Sequence, residues 1–533
     1  MRTIASIFFF LFAFTHVYAQ SLHINNTRFI GGTGFCETYL SHAISTKDNG
    51  ILLVGWCSCD SCENTPNPVD STTTRKNAIA IKIDSTENIE WIKVYGGSRQ
   101  DDAESACQTY DSGYAIFAST ASYDKDAAGH TIGGFWLIKT DATGNKQWTK
   151  FYGSSYTDVP ISIAETPDHG FIMFGTTNGN DGDVPFCYGT PGGPTTDWLV
   201  IKTDSVGNKQ WAKVYGGTGD EGGGLMLIIN NGYYLIGTSN STNYDCNDTS
   251  WHPSSINTGY DAYVVKLDDT GRIIWSKSYG GSSGDGAADA IADNKDSSII
   301  LLAGTQSNDY MVSGNHGMND FWLIKVNKNG NLIWQKTFGG PNRDIPSGLC
   351  LGSDSSYILY GEIIPDAYGA YDVQLFDVDT SRDEIAQKIF GGISYDWSSN
   401  ILAYKNGFAA TGNSSSIQFT EGNNVKNKST SDDMFISFID TWPLLVEQNQ
   451  IENSKIKAYP NPTKGSITIE LPKTINQNYL EIFNSEGQIF YSRQLESNVK
   501  LLNIGTEDWP KGLFVVMCKD ENGKTQAIKF INN

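Results

Sequence analysis

Residues 202–217 of this chain read KTDSVGNKQWAKVYGG, and variations of this phrase recur through most of the sequence. Asp204 to Gly207 carry the residues of a tight turn, and the segment from Trp211 to Tyr215 alternates large and polar side chains. The phrase therefore predicts a strand, a turn and a second strand that ends at two glycines. Close copies place Asp141, Asp268 and Asn327 at the first turn position, and degraded copies place Asp84 and Asp379 there.

We call the glycine pair that ends this second strand the exit. The spacing between exits gives the size of one repeat. Successive exits are 52 to 65 residues apart, which is enough for about four strands of ordinary length. Two other apolar phrases each occur seven times before residue 440. A first copy of the exit strand, at residues 22–32, precedes the first complete unit, while the last unit lacks one.

This offset favours a closed ring of sheets. If the N-terminal strand completes the last unit, no sheet edge remains open to pair with another chain. We predict an all-β fold, with a seven-bladed β-propeller followed by a small C-terminal antiparallel β-sandwich. An open β-solenoid or a pair of sandwiches is the alternative for the repeats.

The repeated side chains are first interpreted structurally. A docked indole buries about 150–250 Å², so the repeat tryptophans are predicted to pack between blades rather than to bind a ligand. They are Trp91, Trp148, Trp211, Trp275 and Trp334. The aspartates after the exits are predicted to cap their own turns, with a carboxylate ring that forms a site as the alternative. They are Asp101, Asp158, Asp220, Asp285, Asp344 and Asp396.

Composition and the N-terminus indicate an exported protein. The formal net charge of the 533 residues is −21. Nucleic acids and anionic membranes are bound by clustered Lys and Arg, which this sequence lacks, so neither partner is expected. Arg2, the apolar run 4–14 and Ala19 predict a signal peptide at residues 1–19, with a retained anchor as the alternative. No later stretch is apolar enough to cross a membrane, so no transmembrane segment is expected after signal removal.

Two resemblances to known families follow from these motifs. The repeat resembles the propeller repeats of exported Bacteroidetes proteins, and its Asp-x-x-Gly-x-x-x-Trp phrase is similar to the tryptophan-docking motif of quinoprotein propellers. Residues 443–457 are predicted as a linker after a propeller domain at 20–442, and residues 458–533 as a domain of short strands. This last segment resembles the type A C-terminal sorting domain of type IX secretion substrates. The matching motifs are Tyr459-Pro460-Asn461-Pro462, Ile482 to Gly487, Trp509 to Phe514 with Gly512, and Ala527 to Phe530.

The resemblance to sorting domains implies a location. The domain would be an address read by the type IX secretion machinery, and the protein would be secreted, or attached to the outer-membrane surface, by way of the periplasm. An ordinary terminal β-sandwich that binds a ligand is the alternative for residues 458–533.

One loop has the composition of a calcium site. Residues 178–183 read NGNDGD, which alternates oxygen-bearing side chains with glycine, so Asp181 and Asp183 are predicted Ca²⁺ ligands. The later bidentate glutamate of an EF-hand is missing, and an ordinary tight turn has the same composition. No other cofactor is expected.

The nine cysteines are more consistent with disulfides than with a zinc site in an exported chain. Cys57, Cys59 and Cys62 form a cluster near Cys36 and are predicted to form a disulfide staple. Cys187 and Cys246 lie in corresponding loops of neighbouring units and could pair across blades.

No set of catalytic residues is identified. Gly280 to Gly284 match the letters of a nucleophile elbow but fall at a blade exit. The loops between the second and third strands are the longest, so a binding surface is expected there. We expect a surface binding or scaffold protein whose ligand is a polysaccharide or a surface protein. The alternatives are a glycan-degrading hydrolase or lyase with its site at one mouth of the propeller, and a purely structural surface-layer component.

Overall fold

A computed structural model describes most of the chain from Gln20 to Asn532. The described residues are 20–30, 37–58, 76–130, 134–230, 232–246, 259–293, 296–352, 356–364, 371–392, 394–405, 407–416, 418–421, 424–427, 433–443, 456–460, 463, 465–471, 477–484, 488–495, 500–520 and 525–532. The predicted signal peptide and Cys36, Cys59 and Cys62 lie outside them. The chain divides into two compact units, one from Ile24 to Asp440 and one that includes Thr441–Asn533.

Five repeats fold as four-stranded antiparallel sheets in which consecutive strands are neighbours. The first two contain β2 (Thr38–Ser45), β3 (Ile51–Cys57), β4 (Asn77–Ile83) and β5 (Ile89–Tyr95), then β6 (Asp101–Gln108), β7 (Tyr114–Thr120), β8 (Phe135–Thr140) and β9 (Lys146–Tyr152). The third and fourth contain β10 (Asp158–Glu165), β11 (Phe171–Thr177), β12 (Asp197–Thr203) and β13 (Lys209–Tyr215), then β14 (Glu221–Ile229), β15 (Gly232–Ser239), β16 (Asp261–Leu267) and β17 (Ile273–Tyr279). The fifth contains β18 (Asp285–Asp293), β19 (Ser298–Thr305), β20 (Asp320–Val326) and β21 (Leu332–Phe338). Short 3₁₀ turns occur at Lys125–Ala127 and Tyr244–Cys246.

The last two sheets of the repeat region depart from this pattern. The sixth contains β22 (Asp344–Leu351), β23 (Tyr357–Ile363), β24 (Asp372–Val378) and β25 (Glu384–Gly392), extended by the hairpin β28 (Gln418–Glu421) and β29 (Asn424–Asn427). The seventh has the order β1-β30-β27-β26, from β1 (Gln20–Ile30), β26 (Asp396–Tyr404), β27 (Gly407–Ser414) and β30 (Asp433–Pro443). The N-terminal strand is therefore the neighbour of a strand from the last repeat.

The first strands of the sheets touch one another in sequence. β2 contacts β6, and the contacts continue through β10, β14, β18 and β22 to β26. β26 also contacts β2, where Ser399 Oγ donates to the Leu40 carbonyl at 3.1 Å. Leu40 N–H donates to Asn413 Oδ1 on the neighbouring strand β27 at 2.6 Å.

The middle strands of each sheet form the core. β11 and β12 are buried at every position, whereas the outer strand β13 is exposed at its start and buried only at its end. A strand covered on both faces needs apolar residues at consecutive positions, which explains the unbroken runs of the second and third phrases in each repeat.

The repeat tryptophans join neighbouring sheets. The Trp211 ring lies against Gly271 in the turn before β17, where a Cβ would come within 2.8 Å of the indole. Gly271 has a φ of +74°, a left-handed conformation that favours glycine, and its carbonyl accepts from Tyr215 Oη at 2.6 Å. The same contacts pair Trp91 and Tyr95 with Gly144, Trp148 and Tyr152 with Gly207, and Trp275 and Tyr279 with Gly330. The predicted packing of tryptophans between blades is confirmed at these four positions.

The fifth tryptophan meets a degraded turn. Arg382 replaces the turn glycine, with a φ of +74°, and its guanidinium carbon lies 5.6 Å from the centroid of the Trp334 ring. A cation over an indole face is itself favourable, so this boundary keeps a contact although the glycine is absent.

The C-terminal unit contains two antiparallel sheets. One has the order β31-β32-β35 and the other β34-β33-β36-β37. Their bounds are β31 (Lys457–Tyr459), β32 (Ser466–Glu470), β33 (Gln477–Asn484), β34 (Ile489–Gln494), β35 (Leu501–Gly505), β36 (Gly512–Asp520) and β37 (Thr525–Asn532). Apolar residues of both sheets, including Ile467, Ile482 and Phe514, form one buried cluster.

Candidate functional site

A buried acidic side chain ties each described exit to the first strand of the next sheet. Gly97 N–H donates to Asp101 Oδ2 at 2.8 Å, and Ser122 Oγ donates to the same oxygen at 2.9 Å. The equivalent acceptors are Asp158, Glu221, Asp285, Asp344 and Asp396. Capping of the turns is therefore confirmed, except at Asp220. That prediction is wrong because the acid must follow the second exit residue by four positions, which places Glu221 against Gly217.

In each first strand, the residue after the position equivalent to Asp101 differs from repeat to repeat. The pairing of each first strand with its neighbour places these seven residues at equivalent positions, and we call them the mouth ring. They are Tyr39, Asp102, Val159, Gly222, Gly286, Ile345 and Trp397. A β-bulge follows shortly after in all seven first strands. Bulges at matching positions turn side chains out of the ladder, as they often do beside functional sites.

Small residues leave space along part of the mouth ring. A cavity of about 480 Å³ is lined by Gly224, Gly286, Ala287, Ala288 and Ser347, among others. Glycine and alanine at these positions remove the side chains that would otherwise fill it, so the cavity arises from repeat-specific substitutions. Its volume is within the range of small-molecule sites.

Two mouth-ring residues, Tyr39 and Trp397, each stack on another aromatic residue. Tyr39 and Trp56 stack with their ring centroids 5.7 Å apart, and Lys76 Nζ lies 3.7 Å from the centroid of the Trp56 ring. Tyr395 and Trp397 stack in the same way, also at 5.7 Å. Paired rings of this kind provide flat apolar faces beside polar groups.

Two half-buried carboxyl groups follow on β6. The pKa of Glu104 is raised to about 7, mainly by burial and in part by the charge of Asp102, while the charge of Lys76 opposes both effects. Burial likewise raises the pKa of Asp102. A carboxyl group that titrates near neutrality can donate or accept a proton at physiological pH, which is why such groups mark candidate sites. The repeat pattern does not single out these two residues, because it predicts the same turn-capping role for every acid that follows an exit.

The predicted calcium ligands have protein partners. Asp181 accepts from Ser155 N–H at 2.8 Å and from Ser155 Oγ at 2.6 Å, and Asp183 accepts from Gly153 N–H and from Lys209. Equivalent bonds recur in the preceding repeat, where Asp124 and Asp126 hold the same positions. Within the described segments, no group of three or more His, Cys, Asp or Glu side chains could hold a metal ion. The calcium site stays a prediction, and a cation there would compete with Lys209.

Five cysteines of the described residues are free thiols: Cys107, Cys187, Cys246, Cys350 and Cys518. Cys187 and Cys246 are not joined, which corrects the pairing suggested across blades, and Cys57 is buried. Cys187 Sγ donates to the Gly189 carbonyl, and Cys246 Sγ lies among the polar atoms of Ser239 and Glu221, so each thiol has local contacts of its own.

Part of the sorting motif is described. Tyr459 ends β31, and the bond from Tyr459 to Pro460 is cis. Gly512 begins β36 with a φ of +151°. Asn461, Pro462 and Gly487 lie outside the described residues. Among the residues that are described, no helix has the length and apolar character needed to span a membrane.

Comparison with known proteins identifies this C-terminal unit. Residues 457–533 match the family described as the secretion system C-terminal sorting domain. The chain is therefore a secreted or outer-membrane surface-attached protein, and its tail is recognised by the type IX secretion machinery. None of the curated proteins matches the chain.

Several solved structures are similar to the chain at low identity. A protein of unknown function from Dyadobacter fermentans DSM 18053 matches at 10% identity and a TM-score of 0.39, over 79% of this chain and 100% of its own. The Pan2 WD40 domain of Neurospora crassa matches at 10% identity and a TM-score of 0.40, over 80% and 98%. A glycoside hydrolase family 32 structure from Bifidobacterium adolescentis matches at 11% identity and a TM-score of 0.29, over 93% and 96%. Likeness at this level carries no information on ligand or activity.

Proposed function

We propose that this chain is an exported glycan-binding protein whose mouth ring binds polysaccharide at the cell surface. The observation that carries this proposal is the pair of aromatic stacks, Tyr39 with Trp56 and Tyr395 with Trp397. Tyr39 and Trp397 belong to the mouth ring, and other first strands of the repeats line a cavity of about 480 Å³. Sugar rings present C–H faces that pack on aromatic rings, and their hydroxyls bond to polar groups such as Asp102. A surface protein is the alternative ligand.

The proposal includes a closed seven-bladed β-propeller at residues 20–442. The order β1-β30-β27-β26 and the hydrogen bonds of β2 with β26 and β27 support it. We further propose a signal peptide at 1–19, a linker at 443–457 and a β-sandwich sorting domain at 458–533 of the type found in exported Bacteroidetes proteins. The two sheets with one shared apolar cluster support the sandwich.

A polysaccharide array tests the ligand. We expect the full secreted chain to bind a defined glycan, and Trp56→Ala or Trp397→Ala to weaken binding at least tenfold because each removes one stacking face. Tyr110→Ala is the matched control, since Tyr110 is a 71% exposed aromatic outside the mouth ring. Loss of binding in EDTA would add calcium at Asp181 and Asp183 to the proposal. Binding to none of the polysaccharides on the array would contradict a polysaccharide ligand.

Glycan cleavage at the mouth is the second candidate function. Glu104, whose pKa is raised to about 7, would act as a general acid beside the Asp102 carboxylate. A glycan that binds should then be shortened by the wild-type chain and left intact by Glu104→Gln. Equal release of reducing ends by the two chains would exclude this role for Glu104.

A further inference from the structure

A carboxylate pairs with a lysine at the same place in two consecutive repeats. Asp126 Oδ1 accepts from Lys146 Nζ at 2.5 Å, and its Oδ2 accepts from Gly96 N–H at 3.3 Å. In the next repeat Asp183 accepts from Lys209 and from Gly153 N–H in the same manner. In each pair, the carboxylate accepts from the glycine that follows the outer strand of one sheet, and the lysine begins the outer strand of the next sheet.

The third copy keeps the carboxylate and loses the lysine. Asp245 Oδ2 accepts from Gly216 N–H at 3.3 Å, as its counterparts do, and from Tyr188 Oη at 2.9 Å. Ile273 stands at the position of Lys146 and Lys209. Among the described residues, no group donates a hydrogen bond to Asp245 Oδ1, the atom that matches the lysine-bonded oxygen of Asp126.

The fourth copy lacks both the carboxylate and the lysine. Met311 replaces the carboxylate and Leu332 replaces the lysine, so two apolar residues occupy the two positions. A buried carboxylate without a partner is costly, and replacing both members of a pair removes that cost. Only the third of these four copies therefore keeps an acid whose cation is missing.

A cleft opens at this place. Its volume is about 470 Å³, and its lining includes Asp245, Ile273, Phe186, Tyr188 and Val214. Phe186 is 41% exposed and meets Tyr188 edge-on, with ring centroids 5.1 Å apart. Burial raises the pKa of Asp245, as expected for a carboxylate without a neighbouring cation.

The two cations on the rim do not replace the missing lysine. Lys213 Nζ donates to the Thr270 carbonyl at 2.8 Å, and Arg272 Nε donates to Asp268 at 3.3 Å. Both groups are thus engaged by the turn before β17 rather than by Asp245. Of the residues described, none donates to Asp245 Oδ1, so the cleft combines this acceptor with aromatic walls.

We propose that this cleft, the amine cleft, binds the primary ammonium group of an amino sugar. The ammonium takes the place of the missing lysine at Asp245 Oδ1, and the sugar ring packs on Phe186 and Tyr188. A cavity of this size is in the range of pockets that hold small ligands, about 300–1,000 Å³, which favours a ring over a single alkyl chain. The site shares no residue with the mouth ring and stands independently of the ligand proposed there.

Calorimetric titration of the full chain with a glucosamine tetramer tests this proposal. We expect the glucosamine tetramer to bind at least tenfold more tightly than the N-acetylglucosamine tetramer, because acetylation removes the positive charge. Ile273→Lys rebuilds the pair found in the two preceding repeats, so its own ammonium should fill the site and weaken binding at least tenfold. Its Tm should not fall, because the chain already accommodates this pair twice.

Leu332→Lys is the matched control. It adds the same charge at the equivalent position of the next repeat, where Met311 offers no carboxylate, and should bind the glucosamine tetramer as the wild type does. Equal affinity for the two tetramers, or unchanged binding by Ile273→Lys, would overturn the proposal. Tighter binding of a tetralysine peptide than of the glucosamine tetramer would overturn the assignment to a sugar.

Discussion

Replacing Trp211 by alanine is expected to lower the free energy of unfolding of the repeat unit by about 3 kcal/mol. The indole packs on Gly271 of the following repeat, and its loss leaves a gap between two sheets that backbone hydrogen bonds hold in place. The gap cannot close without moving a sheet, so the full cavity cost should appear. Urea denaturation followed by circular dichroism measures the change.

Gly271→Ala tests the same contact from the other side. A Cβ at Gly271 would collide with the indole and would also have to adopt a φ of +74°, so this variant should be destabilised as well. Because the two residues touch, the double variant should lose less stability than the sum of the single losses, by at least about 0.5 kcal/mol. Strict additivity would show that the contact does not contribute as described.

Asp197→Asn is expected to stabilise the protein at pH 8 by about 2 kcal/mol. The pKa of Asp197 is raised to about 7, mainly by burial and in part by the neighbouring Glu221. A Cβ built on Gly216 would overlap oxygens of both carboxyl groups, which shows that the two converge on one point. The folded chain therefore keeps a proton at Asp197 that the unfolded chain releases near pH 4. Stability falls as the pH rises from about 4 to 7, and the asparagine variant avoids this loss because it stays neutral.

The chain provides its own reciprocal control for this prediction. Asn77 occupies the position of Asp197 at the first boundary, where it faces Asp101 across Gly96. Asn77→Asp should therefore lower stability at pH 8 and have little effect at pH 4. Urea midpoints at the two pH values measure both variants against the wild type. An Asp197→Asn chain no more stable than the wild type at pH 8 would contradict the raised pKa of Asp197.

The repeated part of the architecture could be predicted from the sequence because each element recurs. Turn, tryptophan and exit appear several times with the same spacing, so chance agreement is small and the docking of Trp148 on Gly207 follows from the pattern. The hairpin β28–β29 was missed because its polar residues lack the alternation that marks a strand.

The candidate sites lie where the repeats differ, so a repeat-based analysis is least informative there. Asp181 and Asp183 are predicted calcium ligands, and their alignment with Asp124 and Asp126 shows that they also belong to a motif that recurs between repeats. Conversely, Ile273 is unremarkable by itself and gains meaning only beside Lys146 and Lys209. Comparison between repeats of one chain is thus the signal that could have found the amine cleft.

The place of β1 in the seventh sheet constrains the order in which the chain can assemble. Thr27 Oγ1 and Ser437 Oγ lie 2.6 Å apart although 410 positions separate them in the sequence. β1 therefore has no partner strand until nearly the whole repeat region has been synthesised. Contacts between residues so far apart in the sequence are slow to form. The sorting domain follows β30 in the chain, so the export address is completed only after the last strand that the repeats require. A truncated product that lacks this address also lacks the partner for its own N-terminus whenever the break falls before β30.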